Sequence, residues 1–283
     1  MLRCFLLFTI ALVTAVYADE DVLRPRGRVS GQTSIPQPEG LVHNPWALGI
    51  ELGGSLSFYA QDITLHQLPD YETNITSGSG LGPLINLALD YALNDDMGVQ
   101  ARLGYDKKHY TLSGYLDAPC ETPPRSGFYL PARLNQDYSQ TINYWTGGLA
   151  FRYRFAENWL VIGGLTYHSL SNASYTETDT ILTPTCQFYD QGGNPIGQRQ
   201  QISHSNTADF TAARWSIDIG IGYRVPLSKN VVLLPRLNGQ LFLTEVAPNN
   251  SASGFHQALG QIYSYTNRRL HALQLVVGIW FNL

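Results

Sequence analysis

The sequence has few charged residues and, after residue 18, no long apolar segment. Asp, Glu, Lys and Arg make up 14% of the 283 residues, and the net charge of -4 provides no basic surface for nucleic acid. No later segment approaches the roughly 20 apolar residues that a membrane-spanning helix requires. The composition therefore excludes nucleic-acid binding and a helical membrane protein. The abundance of Gly, Tyr and Trp favours strands and turns.

Cysteine is also scarce, with three residues in the chain. Cys4 lies in residues 1–18, which are typical of a secretory signal peptide. Arg3 supplies the basic start, an apolar segment follows, and Val16-Tyr17-Ala18 is a small-residue cleavage site. Cys120 and Cys186 then remain as an even pair in an exported, oxidising setting. The residues alone are compatible with a disulfide and with two free thiols.

Residues 19–45 contain four prolines and no apolar periodicity, which indicates an extended periplasmic arm rather than a domain. From Trp46 the pattern changes to period two. In the last stretch one face carries Leu273, Leu275, Val277, Ile279, Phe281 and Leu283, and the other carries Gln274, Gly278 and Asn282. Alternation of this kind predicts a β-strand. The predicted domain plan is therefore a signal peptide (1–18), an arm (19–45) and one β domain (46–283).

Seven earlier stretches alternate in the same way, and their connections alternate between short and long. The strands are predicted at about 46–58, 85–93, 97–106, 145–155, 159–167, 214–225 and 231–243. Short polar turns are predicted at 94–96, 156–158 and 228–230. Long loops are predicted at about 60–80, 113–140, 169–208 and 246–266. The pattern predicts an up-and-down meander of eight antiparallel strands.

The two faces of these strands differ sharply in charge. The apolar face has no charged residue in its central parts, whereas the opposite face carries Glu51, Asp90, Arg102, Asp106, Arg152, Arg154, Arg214, Asp218, Arg224 and Arg236. Eight strands enclose only enough space for side chains, and the Trp, Tyr, Phe and Leu face is too bulky for it. The apolar face is therefore predicted to contact lipid, and the strands to form a single closed all-β transmembrane barrel. The ten charged residues are predicted to form a paired network in the lumen, across strands and with Asn86, Gln100, Asn238, Gln240 and Gln274, although the sequence does not show which residues share a level.

Aromatic residues lie near both ends of the apolar face, as in interfacial girdles. Examples are Trp46 with Phe58 and Trp145 with Phe155. With these features residues 46–283 resemble the bacterial outer-membrane eight-stranded barrels of the OmpA, OmpX and OmpW type. The resemblance implies a bacterial outer-membrane location, contact with outer-membrane lipid, and insertion by the barrel-assembly machinery, which reads the last strand with Phe281 as its closing aromatic. The chain departs from that family by ending in Leu283 rather than Phe.

Motifs for chemistry are weak. Gly78-Ser-Gly-Leu-Gly82 lacks the strand and helix context of a phosphate loop, so we interpret it as a loop that leads into a strand. His168, Ser171 and Asn172 resemble the motif of lipid A deacylases, but the spacing from His168 to Ser171 places them on opposite faces of a plain strand. The histidines have no metal-ligand spacing. The sequence thus predicts no catalytic residues, no cofactor and no metal site.

The prediction that follows is a non-enzymatic structural or interaction barrel with a largely closed polar lumen. Its partner would be a periplasmic or extracellular protein. A narrow channel or carrier for small or apolar solutes is the alternative, and a lipid-modifying outer-membrane hydrolase is a distant one. Because an even strand number returns the chain to its starting side, both termini are predicted in the periplasm and the long loops outside the cell.

Overall fold

The computed structural model describes residues 45–65, 72–121, 127, 129–190, 192–205, 207–247 and 263–283. The predicted signal peptide and nearly all of the predicted arm lie outside the described residues. The strands are β1 Trp46–Leu65, β2 Ser77–Ala92, β3 Met97–Glu121, β4 Tyr129–Arg154, β5 Trp159–Ile181, β6 Phe188–Tyr189, β7 Pro195–Gly197, β8 Arg199–Ser205, β9 Ala213–Tyr223, β10 Val225–Pro226, β11 Val231–Phe242 and β12 Tyr263–Asn282. No helix in these residues is long and apolar enough to cross a bilayer.

Eight of the strands form a hydrogen-bonded ring. The order is β1, β2, β3, β4, β5, β9, β11 and β12, and every neighbouring pair is antiparallel. The ring closes because β12 pairs with β11 on one side and with β1 on the other. The eight-stranded antiparallel barrel predicted from the sequence is confirmed. Closure leaves no unpaired edge in the ring itself.

The barrel has two unlike ends. Short turns at 93–96, 155–158 and 227–230 join strand pairs at one end, which we call the turn end. The opposite end, which we call the loop end, carries the longer connections. Aromatic pairs lie at both ends of the lipid-facing surface: Trp46 with Tyr91 and Trp159 with Tyr223 near the turn end, and Tyr105 with Trp145 and Tyr167 with Trp215 near the loop end. Between these girdles apolar side chains face outward, for example Leu103 at 71% exposure.

Three strands extend far beyond the girdle at the loop end, so the predicted loops at 113–140 and 169–208 are largely wrong. β3, β4 and β5 have 25, 26 and 23 residues. About 10 residues suffice to cross a bilayer in a tilted strand. The remaining part of β4, from 129 to 144, corresponds to roughly 50 Å of extended chain. We call this extension of β3, β4, β5 and β8 the protruding sheet.

The protruding sheet inverts the polarity of the barrel. In the lipid-embedded part the outer face is apolar and the inner face polar. In the upper part of β3 the buried residues are Tyr110, Leu112 and Leu116, while Thr111 and Ser113 face out. The period of two continues, but each face has exchanged its polarity because water rather than lipid surrounds it. A prediction that requires an apolar outer face therefore places the ends of β3, β4 and β5 too early in the sequence.

A β-bulge in β5 changes which residues of this strand face the interior. Asn143 lies opposite Asn172 and Tyr144 lies opposite Leu170, so Ser171 is an extra residue in the ladder. The extra residue changes which positions face inward, from even numbers such as His168 to odd numbers such as Ala173.

The glycines of Gly78-Ser-Gly-Leu-Gly82 lie inside β2 and not in a loop, which corrects the interpretation above. A Cβ atom on Gly78, Gly80 or Gly82 would clash with the backbone carbonyl of Thr111, His109 or Lys107 of β3. The glycines thus permit β3 to pass unusually close to β2, a recognised use of glycine in strands.

Cys120, at the end of β3, and Cys186, before β6, form a disulfide with their Cα atoms 6.1 Å apart. Both residues are buried. The bond ties the tip of the protruding sheet to the segment that carries the β6–β7 hairpin.

Candidate functional site

The lumen is filled from end to end by three layers of side chains. At the turn end the layer is apolar and centres on Trp280, which is 5% exposed. The buried members of this layer are Ala88, Ala150, Leu160, Ile162, Val232, Leu234 and Trp280. Gly49 makes room for the indole, because a Cβ atom there would lie 2.6 Å from the Trp280 ring. We call this layer the turn-end plug.

The middle layer is polar, and Glu51 lies at its centre. Both oxygens of this buried carboxylate accept hydrogen bonds from Arg236, each at 2.9 Å. Arg102 lies farther away, with its Nε atom 4.0 Å from the carboxylate. Asn86 Nδ2 also donates to Glu51, at 3.2 Å. Two guanidinium groups thus share one carboxylate, and only Arg236 binds it in the bidentate geometry that such pairs favour.

Lys108 is the central lumen residue that the sequence analysis missed. Its ammonium is fully buried and lies 2.7 Å from Asp106 Oδ2, while it donates to Ser55 and Gln240 at 2.6 Å each. Gln274 donates to the same carboxylate at 3.0 Å. All three donors of the ammonium are therefore used. The alternation along β3 could have identified it, because residue 108 continues the even-numbered positions that face inward. The predicted strand, however, ended at residue 106.

The remaining predicted lumen charges fall into two groups. Arg152 binds Asp90 through two hydrogen bonds of 3.2 and 3.0 Å inside the barrel. Arg154 instead pairs with Asp96 at the rim of the turn end, where both side chains contact solvent. Arg224 is half-buried at the same end of the barrel. These two arginines therefore belong to the rim and not to the lumen network.

Arg214 and Asp218 do not pair with each other. Asp218 accepts from Thr166 at 2.6 Å and from Ser216 at 2.9 Å. The Arg214 guanidinium lies 4.0 Å from the centre of the Phe242 ring and donates to the Thr244 carbonyl at 2.8 Å. Their sequence spacing puts both residues on the inner face of β9. Arg214 nevertheless contacts Phe242 at the end of β11 and Thr244 just after it, and Asp218 binds Thr166 of β5 and Ser216 of β9.

The residues of the motif that resembles lipid A deacylases, His168, Ser171 and Asn172, do not lie together in the structure. His168 is fully buried, with Nε2 2.9 Å from Ser216 Oγ. Ser171 and Asn172 are exposed on the outside of β5. The histidine therefore lies in the packed lumen, without access to a substrate beside Ser171 and Asn172.

The third layer is the interior of the protruding sheet, which caps the lumen at the loop end. It is mostly apolar, but it also buries Gln136, Gln140, Glu177 and Asp179, and Gln136 donates to both carboxylates at 2.9 Å. Its buried apolar residues are Tyr59, Ile75, Tyr110, Leu112, Leu116, Cys120, Ala132, Leu134, Ile142, Tyr144, Ala173, Ile181, Cys186, Phe188, Val246, Ala247 and Leu270. Tyr59 and Tyr110 stack with ring centres 4.4 Å apart. We call this layer the loop-end core. Together the three layers place side chains across the described part of the barrel from the turn end to the loop end.

The outer side of the protruding sheet is polar and water-facing. Near its tip Arg133 forms two hydrogen bonds to Asp117, at 2.8 and 3.0 Å, and lies 4.4 Å from the Tyr115 ring. The hydrogen bond from Arg133 lowers the pKa of the Asp117 carboxyl below its ordinary value. Asp117 is therefore ionised at neutral pH, and the pair supports the β3–β4 ladder there.

β8 forms the end of the protruding sheet. Thr180 lies opposite Arg199, and the Ile181 N–H donates to the Gln198 carbonyl. Antiparallel geometry then directs the main-chain groups of Gln200, Ile202 and His204 towards β5, and those of Arg199, Gln201, Ser203 and Ser205 away from it. Among the described residues no strand pairs with this outward edge. We call it the β8 edge.

Comparison with known proteins identifies a family. The model of the outer membrane protein beta-barrel domain matches residues 31–243. No curated protein matches the sequence.

Solved structures to which the chain is similar include Ail, the attachment invasion locus protein of Yersinia pestis (13% identity, 83% of this chain and 98% of that chain, TM-score 0.29). Another is the outer membrane protein OprG of Pseudomonas aeruginosa, with 9% identity, 85% of this chain and 98% of that chain covered, and a TM-score of 0.31. A third is the outer membrane protease OmpT of Escherichia coli, with 12% identity, 87% of this chain and 99% of that chain covered, and a TM-score of 0.30. At these TM-scores the likenesses carry no argument about this chain.

Proposed function

Because the chain belongs to the outer membrane protein beta-barrel domain family, we propose that it is a non-enzymatic interaction barrel of the bacterial outer membrane. In this proposal the lumen is a sealed support, and the protruding sheet binds a protein partner through the β8 edge. Both termini face the periplasm and the protruding sheet faces outward, because short turns at the periplasmic end and long excursions outside are usual in such barrels.

The observation that carries the proposal is the combination of a filled lumen with an open strand edge. The turn-end plug and the loop-end core close the barrel at both ends, and ion pairs fill the space between them. Among the strands that the structure describes, β8 instead has outward main-chain groups with no strand partner. Such an edge binds an extended peptide as an added strand, with main-chain hydrogen bonds supplying affinity. The partner is therefore a protein with an accessible extended segment.

The edge can be tested without disturbing the barrel. Gln201→Pro removes an N–H that points away from β5, so the β5–β8 ladder keeps its hydrogen bonds, and proline is tolerated at such edge positions. Gln201→Ala keeps the N–H and is the matched control. Affinity capture from intact cells and from detergent extracts, followed by mass spectrometry, should yield a stoichiometric partner with the natural protein and with Gln201→Ala. The proline variant should lose it. A partner retained equally by all three proteins would refute binding at the β8 edge.

The sealed lumen makes a separate prediction that distinguishes the proposal from the channel alternative. Purified protein in planar bilayers should show little steady conductance, because water and ions have no path past the plug and the core. Trp280→Ala should remain nearly silent too, since the polar layer and the loop-end core still block the lumen. Large, stable single-channel steps from the natural protein would instead support a narrow channel.

A further inference from the structure

The outer face of β3 changes its chemistry in steps as the strand leaves the bilayer. Leu103 faces lipid, Tyr105 belongs to the loop-end girdle, and Lys107 is the next outward residue. Farther along, the outward residues Thr111 and Ser113 are exposed and carry hydroxyl groups. Thr111 lies about 13 Å along the strand from Lys107. The strand thus presents an apolar, then a cationic and then a hydroxyl-bearing surface.

Lys107 is a cation without an internal partner. It is half-buried, lies opposite Asn143 of β4, and forms no ion pair with any residue that the structure describes. Its outward neighbours along β3 are Tyr105 and His109, so no carboxylate adjoins it on this strand. Aromatic girdles lie at the level of the lipid headgroups, and lysine binds phosphate as a compact point charge. The ammonium is therefore available to a phosphate at the membrane surface.

Hydroxyl groups cover the outer face of the protruding sheet beyond Lys107. Cross-strand pairing places one row of them side by side on β2, β3, β4, β5 and β8, namely Ser79, Thr111, Ser139, Thr176 and Ser203. The adjacent row on the membrane side contains Thr141, Ser174 and Ser205. We call these two rows the hydroxyl platform. Each hydroxyl can donate one hydrogen bond and accept others, and neighbours within a row are about 4.8 Å apart.

The lack of charge and of apolar groups restricts the ligands that fit the platform. Histidine apart, the outer face of β3, β4 and β5 between Lys107 and the Asp117–Arg133 pair carries a single formal charge among the described residues, that of Asp137. Solvated surfaces usually have about 25–35% charged residues. The platform also lacks the large side chains that anchor a protein partner. A ligand rich in hydroxyl groups, such as a sugar chain, matches this surface better than a protein or a polyanion does.

We propose that Lys107 and the hydroxyl platform bind a phosphorylated glycolipid of the outer leaflet. Its acyl chains lie on the lipid-facing surface beside Leu103, a phosphate binds Lys107, and its sugars lie along the platform. Such a lipid presents acyl chains, phosphates and sugars in the same order as the outer face of β3 presents their partners. The site requires the outward orientation proposed above for the protruding sheet, but it does not involve the β8 edge.

A competition among three lipids tests the site. Purified barrel in detergent receives an equimolar mixture of rough lipopolysaccharide (a short sugar core on lipid A), lipid A and phosphatidylglycerol, and native mass spectrometry counts the lipid retained. The natural protein should retain lipopolysaccharide most and phosphatidylglycerol least. Lys107→Gln should lower the retention of lipopolysaccharide and of lipid A about fivefold, the usual effect of one lysine at an anionic lipid surface. The matched control is Lys229→Gln, which removes an exposed lysine at the turn end and should bind like the natural protein.

The platform is tested by replacing Thr111, Thr141 and Thr176 together with valine, which keeps the branched shape but removes the hydroxyls. This variant should retain lipid A normally and lose the preference for lipopolysaccharide over lipid A, whereas replacement of the same residues with serine should keep that preference. Gel mobility of unheated samples confirms that each variant is folded. Equal retention of the three lipids by the natural protein overturns the proposal, as does unchanged lipopolysaccharide retention in Lys107→Gln or a preference that survives in the valine variant. Lys107→Gln leaves the β8 main chain intact, so partner capture at that edge succeeds or fails independently of these results.

Discussion

Gly82→Ala is expected to destabilise the barrel by about 3 kcal/mol or more, at the upper end of the cost of overpacking. The added Cβ would meet the Lys107 carbonyl oxygen, and it would lie 2.7 Å from the carbonyl carbon. The obstacle is backbone within the same ladder, so it cannot move aside as a flexible side chain would. Separating β2 from β3 would weaken the ring that closes the barrel. Urea unfolding in phospholipid vesicles, followed by tryptophan fluorescence and by gel mobility of unheated samples, measures the loss.

Gly163→Ala is the matched control for that substitution. Gly163 lies in β5, faces lipid, and a Cβ atom there would have no neighbour within 4 Å. Loss of glycine flexibility in the unfolded chain should leave this variant as stable as the natural protein or stabilise it by about 0.5 kcal/mol. If the two variants unfold at the same urea concentration, then β3 does not pass as close to β2 as described above.

Glu51→Ala is expected to cost about 3–5 kcal/mol, the usual effect of removing one member of a buried ion pair. The reason is less the lost attraction than the two guanidinium groups, Arg236 and Arg102, that remain in the lumen without their shared carboxylate. Urea unfolding in vesicles again provides the measurement. Replacing Arg236 by Leu in the same chain should recover part of the loss, because one stranded charge is removed.

The control for this variant is Asp96→Ala. It also removes one carboxylate bound to an arginine, but the Asp96 side chain is 57% exposed at the rim. Exposed pairs contribute about 0–1 kcal/mol, so Asp96→Ala should be nearly neutral. Comparable losses in the two variants would mean that water reaches Glu51 and that the lumen is not sealed.

The barrel itself was predictable because lipid and a narrow bore impose opposite demands on alternate residues. Eight stretches satisfied both demands, and the short turns between them were also predicted correctly. The protruding sheet was not, because polar outer residues such as Thr111 and Thr176 look like loop residues when an apolar outer face is expected. The inner residues of the same strands, for example Leu112 and Tyr175, carried the period-two signal.

The contents of the lumen were predictable as a set but not as pairs. Inward register follows from alternation along one strand, which correctly placed Glu51, Asp90 and Arg236. Partnership depends on how far neighbouring strands are staggered around the ring, and alternation contains no information about stagger. Arg214 and Asp218 accordingly share a strand face without binding each other. Arg154 follows the inward alternation but lies at the rim, because alternation does not show where the lumen ends.

The length of the β4–β5 ladder also has a mechanical consequence. It runs without a gap other than the bulge at Ser171, from Leu134 opposite Ile181 near the tip to Arg154 opposite Leu160 at the turn end. A partner pulling on β8 would load β5 along its length, so many hydrogen bonds would share the force in shear instead of opening one at a time. In the proposed function, tension at the cell surface would thus pass into the membrane-embedded ring, and the barrel would be an anchor as well as a support.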